Sequence, residues 1–380
     1  MGDLIYLDNA ATTKIDERVL DAMLPYLSEN YGNPSGIYSI AGKSRMAAAK
    51  ARDAVAGLIG AGPDEIYFTS SGTEADNWAV KGTAERYKDR GYHIITTKIE
   101  HHAVLGSCRY LEGKGFEVTY LDVDAGGLVD PAAVEAALRP DTVLISVMAA
   151  NNEVGTIEPI REIGRIARAH GVIFHTDAVQ AFGHIPIDVE ECGIDLLSAS
   201  AHKIYGPKGA GFLYMRRGTY LSPYLHGGAQ ERGLRAGTEN VAGIVGLGKA
   251  ARTAMDALGG AAVREGKLRD YFVKRVLDEI PGSCLNGPPP SSGLRLPNNV
   301  NFCFRGAQAE NVLIRLDMEG VCASAGAACA SGSLDPSHVL LAMGLNEADA
   351  RSSVRFTLGR ETKREEIDRT VEILKKILGE

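Results

Sequence analysis

The chain has 380 residues, 45% hydrophobic and 23% charged, the balance of a globular protein with room for one large and one small domain. Its formal net charge of −7 argues against a nucleic-acid or membrane surface as the main partner. No apolar run approaches the ~20 residues that span a bilayer.

The N-terminal stretch carries Asp3 and no basic segment, so it does not read as a secretory signal. The six cysteines are scattered without a C-x2-C pair, which argues against a structural zinc site and points to reduced thiols in a cytoplasmic protein.

In chain order, residues 1–13 read as a short strand and a turn. Asp16 caps an expected helix over 17–29, with Val19, Leu20, Met23, Leu24 and Leu27 on one face. A Gly/Pro loop, Tyr31-Gly-Asn-Pro-Ser-Gly36, precedes an alanine-rich helix over 43–60. A strand over 66–69 runs into Ser70-Ser-Gly-Thr-Glu74, which opens a helix reaching Arg90. A strand, a turn of small residues and a helix N-terminus make an anion site, since backbone N–H groups and the helix dipole point at the ligand. The same residues also suit a capping box, with Ser71 and Glu74 in S-x-x-E spacing.

Alternation of strand and helix continues. Strands are expected over 93–97, 116–121 and 142–147, with helices from 100, over 131–138 and over 159–170. A polar loop, Ala150-Asn-Asn-Glu-Val-Gly155, follows the 142–147 strand. Later strands end near Asp177 and Lys203, and another covers 211–215. This pattern predicts an α/β domain with a mainly parallel sheet. A glycine-rich stretch, 225–240, leads to a long helical region over 240–280. Pro288-Pro-Pro290 marks an irregular segment. Strands over 299–304 and 354–357 with helices over 308–319 and 363–378 then suggest a smaller α+β domain. The expected division is 15–260 for the large domain and 1–14 plus 261–380 for the small one.

Lys203 sits in Asp195-Leu-Leu-Ser-Ala-Ser-Ala-His-Lys-Ile-Tyr-Gly-Pro-Lys-Gly209, after an apolar run and before a Gly-Pro turn. Alone it reads as a surface lysine beside a turn. Asp177, in His175-Thr-Asp-Ala-Val-Gln180, changes that reading. A lysine and an acid at the ends of two strands suit pyridoxal phosphate: the amine holds the aldehyde as an imine, and the carboxylate keeps the pyridine nitrogen protonated.

With these pieces placed, the chain resembles the cysteine desulfurases of the NifS/IscS type, fold-type I pyridoxal phosphate enzymes of the class-V aminotransferase family. The resemblance rests on Leu7-Asp-Asn-Ala-Ala-Thr-Thr13, Gly32-Asn-Pro-Ser35, Asn151-Asn-Glu153, His175-Thr-Asp-Ala-Val-Gln180, Ser200-Ala-His-Lys203, Tyr205-Gly-Pro-Lys-Gly209, Gln230 to Asn240, and Pro336-Ser-His-Val-Leu340. It implies Lys203 as the imine lysine, Asp177 as the partner of the ring nitrogen and His101 stacked on the ring as an acid/base group. It also implies Asn152 and Gln180 on the phenolic oxygen, and Gly72, Thr73, Ser200 and His202 around the phosphate. Thr238 would reach the phosphate of a neighbouring subunit in a homodimer. Arg355 and Asn33 would hold the substrate carboxylate.

Cys329, in the small-residue run Ala323 to Ser333, would take the sulfur of L-cysteine as a persulfide and leave alanine. The small domain would carry this loop, and Cys322 would be structural. Acceptors in this family are iron–sulfur scaffold proteins or tRNA-thiolating enzymes. No intrinsic metal is implied, although Cys329 could serve as a transient iron–sulfur ligand shared with a scaffold. Neither direct nucleic-acid contact nor membrane contact is implied. The alternative on the same frame is a selenocysteine lyase or related lyase. The chain departs from the family pattern at Ala327, at Gly36-Ile-Tyr38, at Ser71-Gly-Thr73 and at Ala149.

Overall fold

The computed structural model describes residues 4–325 and 335–379. Its strands are β1 (Ile5–Tyr6), β2 (Ile66–Thr69), β3 (His93–Thr97), β4 (Glu117–Leu121), β5 (Thr142–Ser146), β6 (Ile173–Asp177), β7 (Leu196–Ser200), β8 (Gly211–Met215), β9 (Ser283–Leu285), β10 (Asn299–Phe304), β11 (Val321–Cys322) and β12 (Ser353–Thr357). Seven of them form one sheet in the order β2-β8-β7-β6-β5-β3-β4. Within it β8 runs antiparallel to both its neighbours, and the remaining pairs are parallel.

The sheet is covered on both faces, and the period of two along β8 shows how. Phe212 and Tyr214 enter one apolar cluster with Val55, Ile59 and Leu247. Leu213 and Met215 enter another with Trp78 and Ala79 from the Gly72–Tyr87 helix. Fully buried strands of this kind are near-continuously apolar, which is why the sequence showed runs rather than alternation.

A second core lies around the three-stranded antiparallel sheet β12-β10-β9 and the parallel pair β1-β11. Phe272 meets Phe302 and Phe356 edge-on there, with ring centroids 5.4 and 5.3 Å apart. One helix of 39 residues, Val241–Glu279, serves both cores. Its first half buries Ile244 and Leu247 in the main cluster, and its second half buries Phe272 and Val276 in the other.

Several elements differ from expectation. The helix expected over 17–29 is divided into Glu17–Met23 and Pro25–Ser28, because Pro25 lacks the N–H that would continue the ladder. β9, β11 and the helices His338–Ala342 and Glu347–Arg351 are too short to give a readable period. From β1 the chain bridges to β12 at Asp8 and Thr357, then crosses to the large sheet, where the Thr13 N–H donates to the His202 carbonyl at 2.9 Å.

Candidate active site

Parallel strands deliver their C-terminal ends to one edge of the sheet, the edge where open α/β folds bind ligands. β2 leads to Gly72 and Thr73. β3 leads to His101, β5 to Asn152, β6 ends on Asp177, and β7 ends on Ser200 with the 3-10 turn Ala201–Lys203 after it. These residues line one cavity of about 380 Å³, together with Gln180, His202 and Arg355.

At one end of the cavity the Gly72–Tyr87 helix presents its N-terminus. Ser71 caps it, its hydroxyl accepting the Glu74 N–H at 3.1 Å. The second half of the expected capping box is displaced by one residue: the Glu74 carboxylate accepts from the Ser70 N–H and hydroxyl, at 2.8 and 2.5 Å. Arg235 donates to the same carboxylate at 2.7 Å, tying the glycine-rich stretch to this turn. Gly72 is required by close packing, since a Cβ there would lie 2.5 Å from Val179 Cγ2 and 3.6 Å from Ser200 Cβ. Ser200 Oγ is buried with no hydrogen-bond partner among the described residues. An orphaned hydroxyl beside a helix N-terminus and a glycine cradle fits an anionic group such as a phosphate.

Acids and a histidine cluster beside and behind the cavity wall. Asp177 accepts the Val179 N–H at 2.9 Å, and burial pushes its carboxyl up to about 6. Asp76, wholly buried, is raised well above the usual range by burial and by the Asp177 charge. His175 is pushed down to about 3 by burial. Its two ring nitrogens lie 2.9 Å from Ser146 Oγ and 3.0 Å from Ser198 Oγ. Glu100, also pushed up by burial, to about 8, accepts from the Met148 N–H and the Thr97 hydroxyl.

Lys203 Nζ donates to the carbonyls of Ala10 and Ala11, at 2.5 and 2.7 Å. Gln180 Nε2 donates to the same Ala10 carbonyl at 3.0 Å. His184 Nε2 lies 3.1 Å from the Lys203 carbonyl and braces its backbone from behind. His202 Nδ1 is 3.2 Å from Thr12 Oγ1, and burial with the Lys203 charge pushes its ring down to about 4. His101 is the N-cap of the His102–Glu112 helix, and its Nδ1 accepts the Ala103 N–H at 3.1 Å. Burial and Lys203 push it down to about 4, so the ring is neutral near pH 7 with its proton on Nε2.

Asp76, His101 and Asp177 can each bring one donor atom within 4.8 Å of the others. A metal-binding histidine normally donates its second N–H outward, whereas His101 accepts there. The trio therefore makes a poor cation site, while Asp177 with Lys203 suits a protonated heterocycle joined to an amine.

Arg355 on β12 is 2% exposed. It donates to the Asn152 carbonyl at 2.8 Å and forms an ion pair with Asp8 at 2.8 Å. Two expected site residues lie elsewhere. Asn33 is exposed and accepts the Ser35 N–H, in a loop held where Gly32 packs closely on Ile40 and Ala41. Thr238 is exposed and lines a separate cleft of about 180 Å³ beside Thr69 and Ser70. Cys329 lies outside the described residues. Sequence reasoning assigned no role to Ala10, Ala11, Asp8 or Asp76. The Leu7–Thr13 motif marks the segment that holds the first three but not their partners; for Asp76 the signal was an acid on the helix that opens the anion site.

The comparisons with known proteins agree with this geometry. The family model for class-V aminotransferases matches residues 5–370. Cysteine desulfurase IscS of Dictyoglomus turgidum is 52% identical over 374 residues, covering 98% of this chain and 94% of that protein. The protein of the same name from Methanosarcina thermophila is 53% identical over 374 residues, covering 98% and 92%. Among solved structures, a NifS-like protein superposes with a TM-score of 0.93 at 39% identity, covering 99% of this chain and 100% of its own. SspA in complex with cysteine gives 0.83 at 40% identity, covering 93% and 98%. The chain belongs to the class-V aminotransferases and, within them, to the cysteine desulfurases of the NifS/IscS type.

Proposed function

We propose that this cysteine desulfurase binds pyridoxal phosphate through Lys203, takes the sulfur of L-cysteine onto Cys329 as a persulfide and releases alanine. The observation that carries the reading is the placing of Lys203, Asp177 and the Gly72–Ser200 cradle around one cavity. When bound, pyridoxal phosphate supplies an electron sink at the substrate Cα.

The chain's own residues divide the remaining work. Lys203 would hold the cofactor, and its free amine would move the Cα proton. Asp177 would be the counter-charge for the ring nitrogen, and the Gly72 helix N-terminus, Thr73, Ser200 and His202 would receive the phosphate. Asn152 and Gln180 would serve the ring's phenolic oxygen. His101, neutral and protonated at Nε2, would be the donor facing the ring and would give a proton as the sulfur leaves. Arg355 receives the substrate carboxylate with its planar fork. Cys329 attacks the substrate sulfur as a thiolate. The persulfide then passes by thiol exchange to an iron–sulfur scaffold or another acceptor.

We read the chain as two domains, 15–260 and 1–14 with 261–380, in a cytoplasmic homodimer where Thr238 completes the partner's phosphate site. An assay of alanine and sulfide released from L-cysteine tests the function, and absence of both from the pyridoxal-phosphate-loaded protein would reject it.

A further inference from the structure

Arg355 meets the cavity with part of its hydrogen-bonding capacity already committed. Nη1 is held by the Asn152 carbonyl and Nη2 by Asp8 Oδ1, each at 2.8 Å. Nε is buried with no partner among the described residues. The pair is well shielded from water, with side-chain exposures of 3% for Arg355 and 18% for Asp8. The backbone fixes both residues: Asp8 bridges to Thr357, and Arg355 pairs with Asn301 across β10 and with Ser324. A guanidinium that served only as an anion receptor would need no acid on its fork, and this one carries an acid held in place from two sides.

From this pairing we propose that Asp8 sets the charge selectivity of the carboxylate site: by neutralising Arg355 in advance, it lets the site hold one carboxylate and disfavours ligands bringing a second negative charge. The inference rests on the reading of Arg355 as the carboxylate receptor. A monocarboxylate still gains hydrogen bonding to the fork. A dianion gains the same contacts but brings its extra charge into a cavity that already holds Asp177, with Asp8 behind Arg355. Coulomb repulsion falls only as the inverse of distance and is weakly screened in a buried site, so the second charge is felt wherever the ligand side chain points. The site would thus separate an uncharged thiol side chain from acidic side chains of similar size without touching the side chain.

Asp8→Asn tests this on the pyridoxal-phosphate-loaded protein. The amide keeps an oxygen facing Arg355 Nη2 and removes the charge. Binding of L-alanine and L-aspartate would be measured by change in the cofactor's visible band and by shift in thermal unfolding. The wild type should prefer alanine, and Asp8→Asn should raise aspartate affinity by at least about tenfold relative to alanine. An unchanged ratio, or one moving further towards alanine, overturns the inference. Arg355→Ala separates this inference from the reading beneath it. If that variant binds alanine as well as the wild type, Arg355 is not the receptor. If it binds alanine poorly while Asp8→Asn leaves the ratio unmoved, Arg355 stands and the selectivity role of Asp8 falls.

Discussion

The Lys203 ammonium is 2.5 Å from the carbonyl of Ala10, a residue from the far end of the chain. With the Ala11 carbonyl and Gln180, this bond fixes the lysine against the segment that joins the small sheet to the large one. Borohydride treatment of the protein loaded with pyridoxal phosphate should attach the cofactor covalently to Lys203, as read by peptide mass. Lys203→Ala should give no adduct; an adduct on any other lysine would reassign the site.

Gly72 packs against Val179 and Ser200 with no room for a methyl group. Gly72→Ala should cost about 1–3 kcal/mol of local packing and weaken cofactor retention about tenfold or more. The double variant Gly72→Ala with Val179→Ala removes the clashing methyl and should recover most of the loss in equilibrium dialysis against pyridoxal phosphate. If retention is unchanged in Gly72→Ala, the cradle is not part of the site.

Glu265, on the second half of the Val241–Glu279 helix, is 4% exposed, and burial pushes its carboxyl from 4.5 up to about 7. Below pH ~4.5 both folded and unfolded chains hold the proton, so the residue is neutral to stability there. As pH rises from about 4.5 to about 7 the unfolded chain releases this proton while the folded chain keeps it, so stability falls by up to about 3 kcal/mol and stays at that lower level above about 7, where both are ionised. Glu265→Gln should therefore stabilise the protein at pH 8 and leave it nearly unchanged at pH 4.5, as measured by urea unfolding. Equal effects at both values would show that the carboxyl is not buried in this way.

Thr238 faces a cleft at the outer side of the anion turn, where Arg235 and Glu74 are already paired. If it completes the site of a second copy, the protein sediments as a dimer, and Thr238→Val lowers cofactor affinity without dissociating it. A monomer that still binds pyridoxal phosphate tightly would contradict the shared site.

The strand–helix alternation was legible because buried parallel strands leave long apolar runs, and Lys203 and Asp177 stood out at the ends of two of them. Pro25 divides the first helix although the apolar stripe continues through Leu27. Contacts joining distant segments were not legible. Nothing local to Ala10 or Ala11 marks their carbonyls as partners of Lys203, since backbone acceptors carry no sequence signature. The Asp8–Arg355 pair likewise spans nearly the whole chain. The shift of the Glu74 carboxylate to Ser70 arises because Arg235, far along the chain, holds the same group.

The sulfur of L-cysteine is proposed to arrive on Cys329. Mass spectrometry after addition of L-cysteine to the loaded protein reads it directly. The wild type should carry one added sulfur on Cys329. Cys329→Ser should bind pyridoxal phosphate and exchange the substrate Cα proton normally, yet carry no added sulfur and release no alanine, because a serine hydroxyl is barely ionised near neutral pH. Alanine released by Cys329→Ser at the wild-type rate, with the added sulfur on Cys322, would contradict the account.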